Sequence, residues 1–291
     1  TAVLLATALS SFIGTACMGL MANLPFALSA GMGLNAFLAY TVVLGMGYTW
    51  QVALLAVFIE GLIFIVLSLT NIREAIFNAI PLTLKKGVSV GIGLFIAFIG
   101  LQNSGLCVDS ATLVGIISFP ENFHTAGICA LLTLIGLFFT AVFYTRKMKG
   151  AILYGILLTW ILGMLCQVTG LYVPTPDAGF YSLFPSWGMT DFSKLGLTFG
   201  QCFNVDFSAV GIVNFIVVIF SFLFVDIFDT LGTLIGVATK AKMLDKDGKL
   251  PGIKPALLAD SIATSAGAIL GTSTTTTFVE SASGVAVGGR T

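Results

Sequence analysis

Apolar residues run in long blocks along this chain, and the few polar interruptions divide it. No charged residue occurs from residue 1 to residue 59. At about 1.5 Å of rise per residue that stretch is far too long for a single membrane-spanning helix, so it must fold back. Turn signals at Asn23-Leu24-Pro25 and Gly45-Met46-Gly47 mark where it does so. The predicted passes are residues 1–21, 26–45 and 49–69, then 87–108, 125–145, 150–176, 207–238 and 255–270, with a last element from 272 onward, nine in all. Residues 173–206 break the pattern. Pro174, Pro176, Pro185, Trp187 and scattered charges read as an external linker with an interfacial piece. The linker divides the chain into a first half, 1–172, and a second, 207–291.

Two passes do not read as continuous helix. The second holds Leu24-Pro25-Phe26-Ala27-Leu28-Ser29-Ala30-Gly31-Met32-Gly33-Leu34-Asn35, with a proline and two glycines inside it. The last holds the β-branched run Gly271-Thr272-Ser273-Thr274-Thr275-Thr276-Thr277-Phe278, followed by small-residue helix. Each follows an apolar helix containing a glycine, Gly19 or Gly267. Extended backbone at membrane depth is tolerated only where protein buries it or a cavity borders it. Paired interruptions of this kind point to a transporter binding site. A plain polar packing seam is the alternative reading of the threonines.

Composition agrees with this division. Of 291 residues, 57% are hydrophobic and only 9% charged, against roughly 25% charged in a soluble domain. Mean hydropathy is +1.04. The chain is therefore predicted to be an all-α polytopic membrane protein. Net charge is zero, which leaves no electrostatic footprint for nucleic acid. The five cysteines lack paired spacing and read as small hydrophobes. Bases recur on every second loop: Arg73, Lys85 and Lys86; Arg146, Lys147 and Lys149; then Lys240, Lys242, Lys246, Lys249 and Lys254. Intervening loops carry Asp109, Glu121, Asp177, Asp191 and Asp206, with Lys194 the one base. This is the positive-inside pattern, and it places Thr1 outside. The sequence starts at Thr1 and stops at Gly288-Gly289-Arg290-Thr291 in mid-pattern, so a fragment is expected.

Acids inside apolar sequence need a reason, because a mid-membrane charge costs about 2.5–3.5 kcal/mol on insertion scales. Asp226 and Asp229 stand i, i+3 on one helix, nearly on one face, and two full charges there would repel. Glu280 opens a half-helix whose dipole favours its charge and whose free N–H groups face a cavity. Asp229 and Glu280 read as functional. Asp226, Glu60 and Asp260 read rather as helix caps or partners of a nearby base. Taken singly, Asn35 suggests a helix–helix hydrogen bond and Phe278 packing. His124 is predicted to be solvated, and Asp245-Lys246-Asp247-Gly248 to be a cytoplasmic turn.

The segments Phe228-Asp229-Thr230-Leu231-Gly232-Thr233 and Gly271 through Ser281 resemble the nucleobase:cation symporter, or nucleobase–ascorbate transporter, family. Ala30-Gly31-Met32-Gly33-Leu34-Asn35-Ala36-Phe37 resembles its AzgA-like branch of adenine, guanine and hypoxanthine permeases. The resemblance implies fourteen segments in two inverted repeats of seven, arranged as core and gate. On that map this chain is a piece running from segment two into segment ten, with short strands in broken segments three and ten. It also implies that Asp229 is the acid of segment eight, Glu280 the glutamate of segment ten, Phe278 the aromatic two residues before it and Asn35 the polar residue of segment three. Val279 joins Glu280, Asp229, Asn35 and Phe278 as substrate-binding.

The expected function is proton-coupled uptake of a purine base across the cell membrane, with Asp229 carrying the proton and Asp226 supporting it. No cofactor is expected beyond the coupling ion, H+. The expected partners are a purine nucleobase and the lipid bilayer, with a homodimer as one assembly open to the chain. A uracil, xanthine or other small-solute carrier on the same fold remains the alternative, and a channel is a more distant one. An enzyme is disfavoured: the sequence has no metal-spaced His/Cys set, no nucleophile–base pair and a single histidine.

Overall fold

The computed structural model describes residues 1–111, 113–186, 188, 191–206, 210–246 and 249–289, with the side chains of 77, 82 and 85 excepted. Trp187, Phe207, Asp247, Gly248, Arg290 and Thr291 lie outside the described residues.

Among the described residues, seven helices are long and apolar enough to cross a membrane. The first is α1 (Ala2–Cys17), which continues as a π-turn over Met18–Ala22. The second predicted pass is broken into β1 (Leu28–Ala30) and α2 (Met32–Ala36), whose continuation Phe37–Gly45 is π-helical. Next come α3 (Trp50–Leu69), the short α4 (Ile72–Ala79) and α5 (Leu82–Asn103). Strands β2 (Cys107–Ser110) and β3 (Leu113–Ile116) precede α6 (Phe119–Asn122), α7 (Ile128–Thr145) and α8 (Ala151–Val168). The chain ends with α9 (Ile212–Ala241), α10 (Ile253–Leu270), β4 (Thr275–Thr277) and α11 (Ser281–Ala286). The seven helices and the two broken segments occupy the places of the nine predicted passes.

The hairpin β2–β3 is a correction. Residues 87–108 read as one pass, but the helix stops at Asn103, the backbone turns at Gly105 (φ +75°), and Cys107 pairs with Ile116 and Ser110 with Leu113. Its apolar strands look like helix by hydropathy, and only their cross-strand hydrogen bonds tell the two apart. The expected pass over 150–176 likewise ends early, at Val168.

The chain forms two compact units, residues 1–93 with 190–291 and residues 94–189. The division into 1–172, 173–206 and 207–291 follows the sequence, whereas packing joins both halves in the first unit. The linker is split the same way. In the second unit Trp160 Nε1 donates to Leu183 O at 2.9 Å and Tyr172 is buried. In the first, Gly200 N donates to Ile269 O at 2.7 Å and Cys202 is buried. His124 is exposed as predicted, but its Nδ1 also lies 3.2 Å from Leu171 O.

The first unit is built on small residues. A Cβ on Gly14 of α1 would lie 2.7 Å from the Ala263 Cβ of α10, so these helices approach at a distance only glycine permits. α10 also packs along α3. The strands of the two broken segments, β1 and β4, are buried in this unit.

Candidate functional site

The two interruptions cross. β1 and β4 pair antiparallel, with Leu28 opposite Thr277, Ser29 opposite Thr276 and Ala30 opposite Thr275. Beyond them Gly31 N donates to Thr274 O at 3.1 Å and Phe278 N to Ala27 O at 2.9 Å. Over residues 27–31 and 274–278 each broken segment thus satisfies polar backbone of the other, as burial in an apolar medium requires.

The threonine run is a hydroxyl hub. Thr272 Oγ1 lies 2.8 Å from Thr7 Oγ1, and Thr275 Oγ1 2.6 Å from Ser10 Oγ, both on α1. Ser273 donates to the Asn35 amide oxygen on α2. Thr274 Oγ1 donates to Glu60 Oε2 on α3 at 3.0 Å, and Thr276 Oγ1 lies 2.9 Å from Thr230 Oγ1 on α9. These residues are polar because their hydrogen bonds tie the run to four helices, α1, α2, α3 and α9.

Asp229 of α9 lies half-buried at this crossing. Its Oδ2 would be 3.3 Å from a Cβ on Gly31, the N-cap of α2, and Thr276 Cγ2 would be 3.1 Å from the same point. Phe278 and Val279 are half-buried, and Glu280 is exposed at the N-cap of the six-residue α11. The Glu280 carboxylate is close enough for its charge to act on Asp229. No protein acceptor takes the Val279 or Glu280 N–H among the described residues. Asn35 is exposed, with its oxygen engaged by Ser273. Asp229 therefore lies against the crossing, Phe278, Val279 and Glu280 follow β4 at one end of it, and Asn35 meets Ser273 at the other.

Asp226 does not face that side. It is fully buried with Arg73 and Asp260. Arg73 Nη2 lies 2.8 Å from Asp260 Oδ2 and 3.4 Å from Asp226 Oδ2. Its Nη1 donates to Ser261 Oγ at 2.8 Å and Leu257 O at 3.0 Å, and the guanidinium stands 3.9 Å over the Phe64 ring. Thr230 Oγ1 bridges Asp226 Oδ1 at 3.0 Å and Asp260 Oδ2 at 3.2 Å. Arg73 reads in the sequence as a loop charge, yet it is only 3% exposed. The left-handed Asn71 (φ 61°) turns the chain inward between α3 and α4 and brings it there. The readable signal was the demand side: three acids in apolar helices, with Arg73 one turn beyond the end of α3. Among the described residues, no three His, Cys, Asp or Glu side chains are grouped to hold a metal ion.

Sequence comparison agrees with this geometry. The model of the Permease family matches residues 1–291. The chain belongs to the Permease family. It is 48% identical over 291 residues to "Putative permease MJ0326" of Methanocaldococcus jannaschii, covering 100% of this chain and 62% of that protein. It is 48% identical over 290 residues to "Guanine/hypoxanthine permease PbuG" of Bacillus subtilis, covering 99% and 61%. To "Adenine permease AdeQ" of Escherichia coli it is 39% identical over 292 residues, covering 99% and 60%. The chain thus spans about three fifths of the length of these relatives, which are named as permeases and not as enzymes. Family and helices together make it a multi-pass membrane protein.

Proposed function

We propose that the protein is a secondary transporter taking up a purine nucleobase, in symport with protons. One observation supports this reading: the antiparallel crossing of β1 and β4 brings Asp229 of α9 against Gly31 at the start of α2, with Phe278 and Glu280 following β4. The names of the guanine/hypoxanthine and adenine permeases among its relatives support the substrate class.

In this mechanism the purine ring stacks on Phe278. The Glu280 carboxylate accepts from ring N–H groups, which fits an uncharged base that presents donors along one edge. The free N–H groups of Val279 and Glu280 and the Asn35 amide nitrogen donate to ring acceptors. Asp229, seated against Gly31, carries the coupling proton. A potential of 100 mV supplies about 2.3 kcal/mol per proton moved, enough for roughly fifty-fold accumulation. Access alternates as the halves of the transporter move around the bound ring. The proposal includes the cell membrane as location, bilayer lipid as surroundings and a homodimer as assembly, the last read by crosslinking in membranes.

The test is labelled hypoxanthine uptake by the full-length protein carrying Asp229→Asn or Glu280→Gln. Both are expected to lose concentrative uptake. Uptake at the unsubstituted rate in both would overturn the assignments.

A further inference from the structure

Among the described residues, Glu60 is the one fully buried acid that neither the substrate site nor the Arg73 pair accounts for. It lies on α3 within apolar sequence and is 0% exposed. Among the described residues Thr274 Oγ1 is its sole hydrogen-bond partner, at Oε2, while Oε1 is buried with none. The charged groups that act on it are Arg73 of α4, Asp226 of α9 and Asp260 of α10. Arg73 is already committed, at 2.8 Å to Asp260 and 3.4 Å to Asp226. One guanidinium thus stands among three buried carboxyl groups, and among the described residues Asp260 Oδ1 also lacks a partner.

A buried carboxylate with one hydrogen bond and no cation of its own is held only at a cost of several kcal/mol. A bound cation removes that cost. A metal ion would need several oxygens converging on one point, and the described acids do not converge in this way. A proton needs only one acceptor, and Thr274 Oγ1 at 3.0 Å can accept from a neutral Glu60. Thr274 also connects Glu60 to the substrate site, since its carbonyl accepts from Gly31 N, the residue against which Asp229 sits.

We infer that Glu60 is a second proton-carrying acid of this permease, exchanging its proton with water during the cycle and reporting its state to the β1–β4 crossing through Thr274. The inference takes proton-coupled transport as its setting, but the proton itself can be observed without any transport.

The experiment has two arms on the full-length protein. In the first, infrared difference spectra are recorded with 13C-labelled glutamate. A neutral-carboxyl stretch present at neutral pH should vanish in Glu60→Gln and shift in Thr274→Val. The Thr274→Val shift decides this arm if Glu60→Gln fails to insert. In the second, Glu60→Gln proteoliposomes are compared in purine counterflow and in concentrative uptake. Glutamine mimics an acid that never releases its proton, so counterflow should persist while concentrative uptake and its pH dependence are lost. A neutral-carboxyl stretch unaltered by both substitutions would overturn the inference, as would concentrative uptake with unchanged pH dependence in Glu60→Gln. If the unsubstituted protein shows no purine counterflow, the transport reading fails and the infrared arm still decides the fate of Glu60.

Discussion

Asp229 Oδ2 lies 3.3 Å from the position a Cβ would take on Gly31, although 198 positions (229 − 31) separate the two residues in sequence. The contact exists because β1 and β4 cross in register, which sets the start of α2 against the middle of α9. Glycine at 31 leaves room for the carboxylate to approach the backbone.

Gly31→Ala should therefore disturb the site and leave the fold in place. The added methyl would lie 3.1 Å from Thr276 Cγ2 and 3.3 Å from Asp229 Oδ2, closer than ordinary van der Waals contact. A rise in KM for purine uptake of roughly tenfold is expected, equivalent to about 1.4 kcal/mol. Uptake kinetics at matched membrane abundance check this.

Asp226 and Asp229 should separate by experiment, despite lying one helical turn apart. Asp226→Asn removes a charge facing Arg73 and is expected to lower thermal stability in detergent. Asp229→Asn is expected to leave stability near that of the unsubstituted protein and abolish concentrative uptake. Thermal melts and uptake measured on the same preparations distinguish the two.

Arg73→Met strips the cation from two fully buried carboxylates and should destabilise the protein by about 3–5 kcal/mol. Arg73→Lys should recover only part of this, because a point ammonium cannot reproduce contacts to Asp260, Ser261, Leu257 and the Phe64 ring together. Adding Asp226→Asn and Asp260→Asn to Arg73→Met should restore folded yield above that of the single variant, read by size-exclusion chromatography in detergent.

Thr276→Val keeps the volume and the β-branch but removes the hydroxyl that meets Thr230 at 2.9 Å. The expected loss is about 1 kcal/mol of stability. Thr230 still has Asp226 and Asp260 as partners, so a much larger loss would mean that the hydroxyl chain acts as a unit.

What the residues alone determined was local or one-dimensional. Hydropathy located nine segments because each crossing helix must satisfy its own backbone and present apolar side chains along its length. Proline, glycine and β-branched residues marked the two segments that break, since their effect on the backbone needs no partner. The acids at 229 and 280 were legible because charge in apolar sequence is costly wherever it folds. Tertiary structure alone decided which groups meet. It paired Leu28–Ala30 with Thr275–Thr277, and it drew Arg73 from an apparent loop into the core. It also turned Asp226 away from Asp229, left Glu60 with one hydrogen bond among the described residues, and ended the fourth pass at Asn103, with Cys107 and Val108 in a β-strand instead of helix. The physical reason is common to all of these: hydrogen bonds and ion pairs between distant segments depend on ångström-scale distances, which no pattern along one chain encodes.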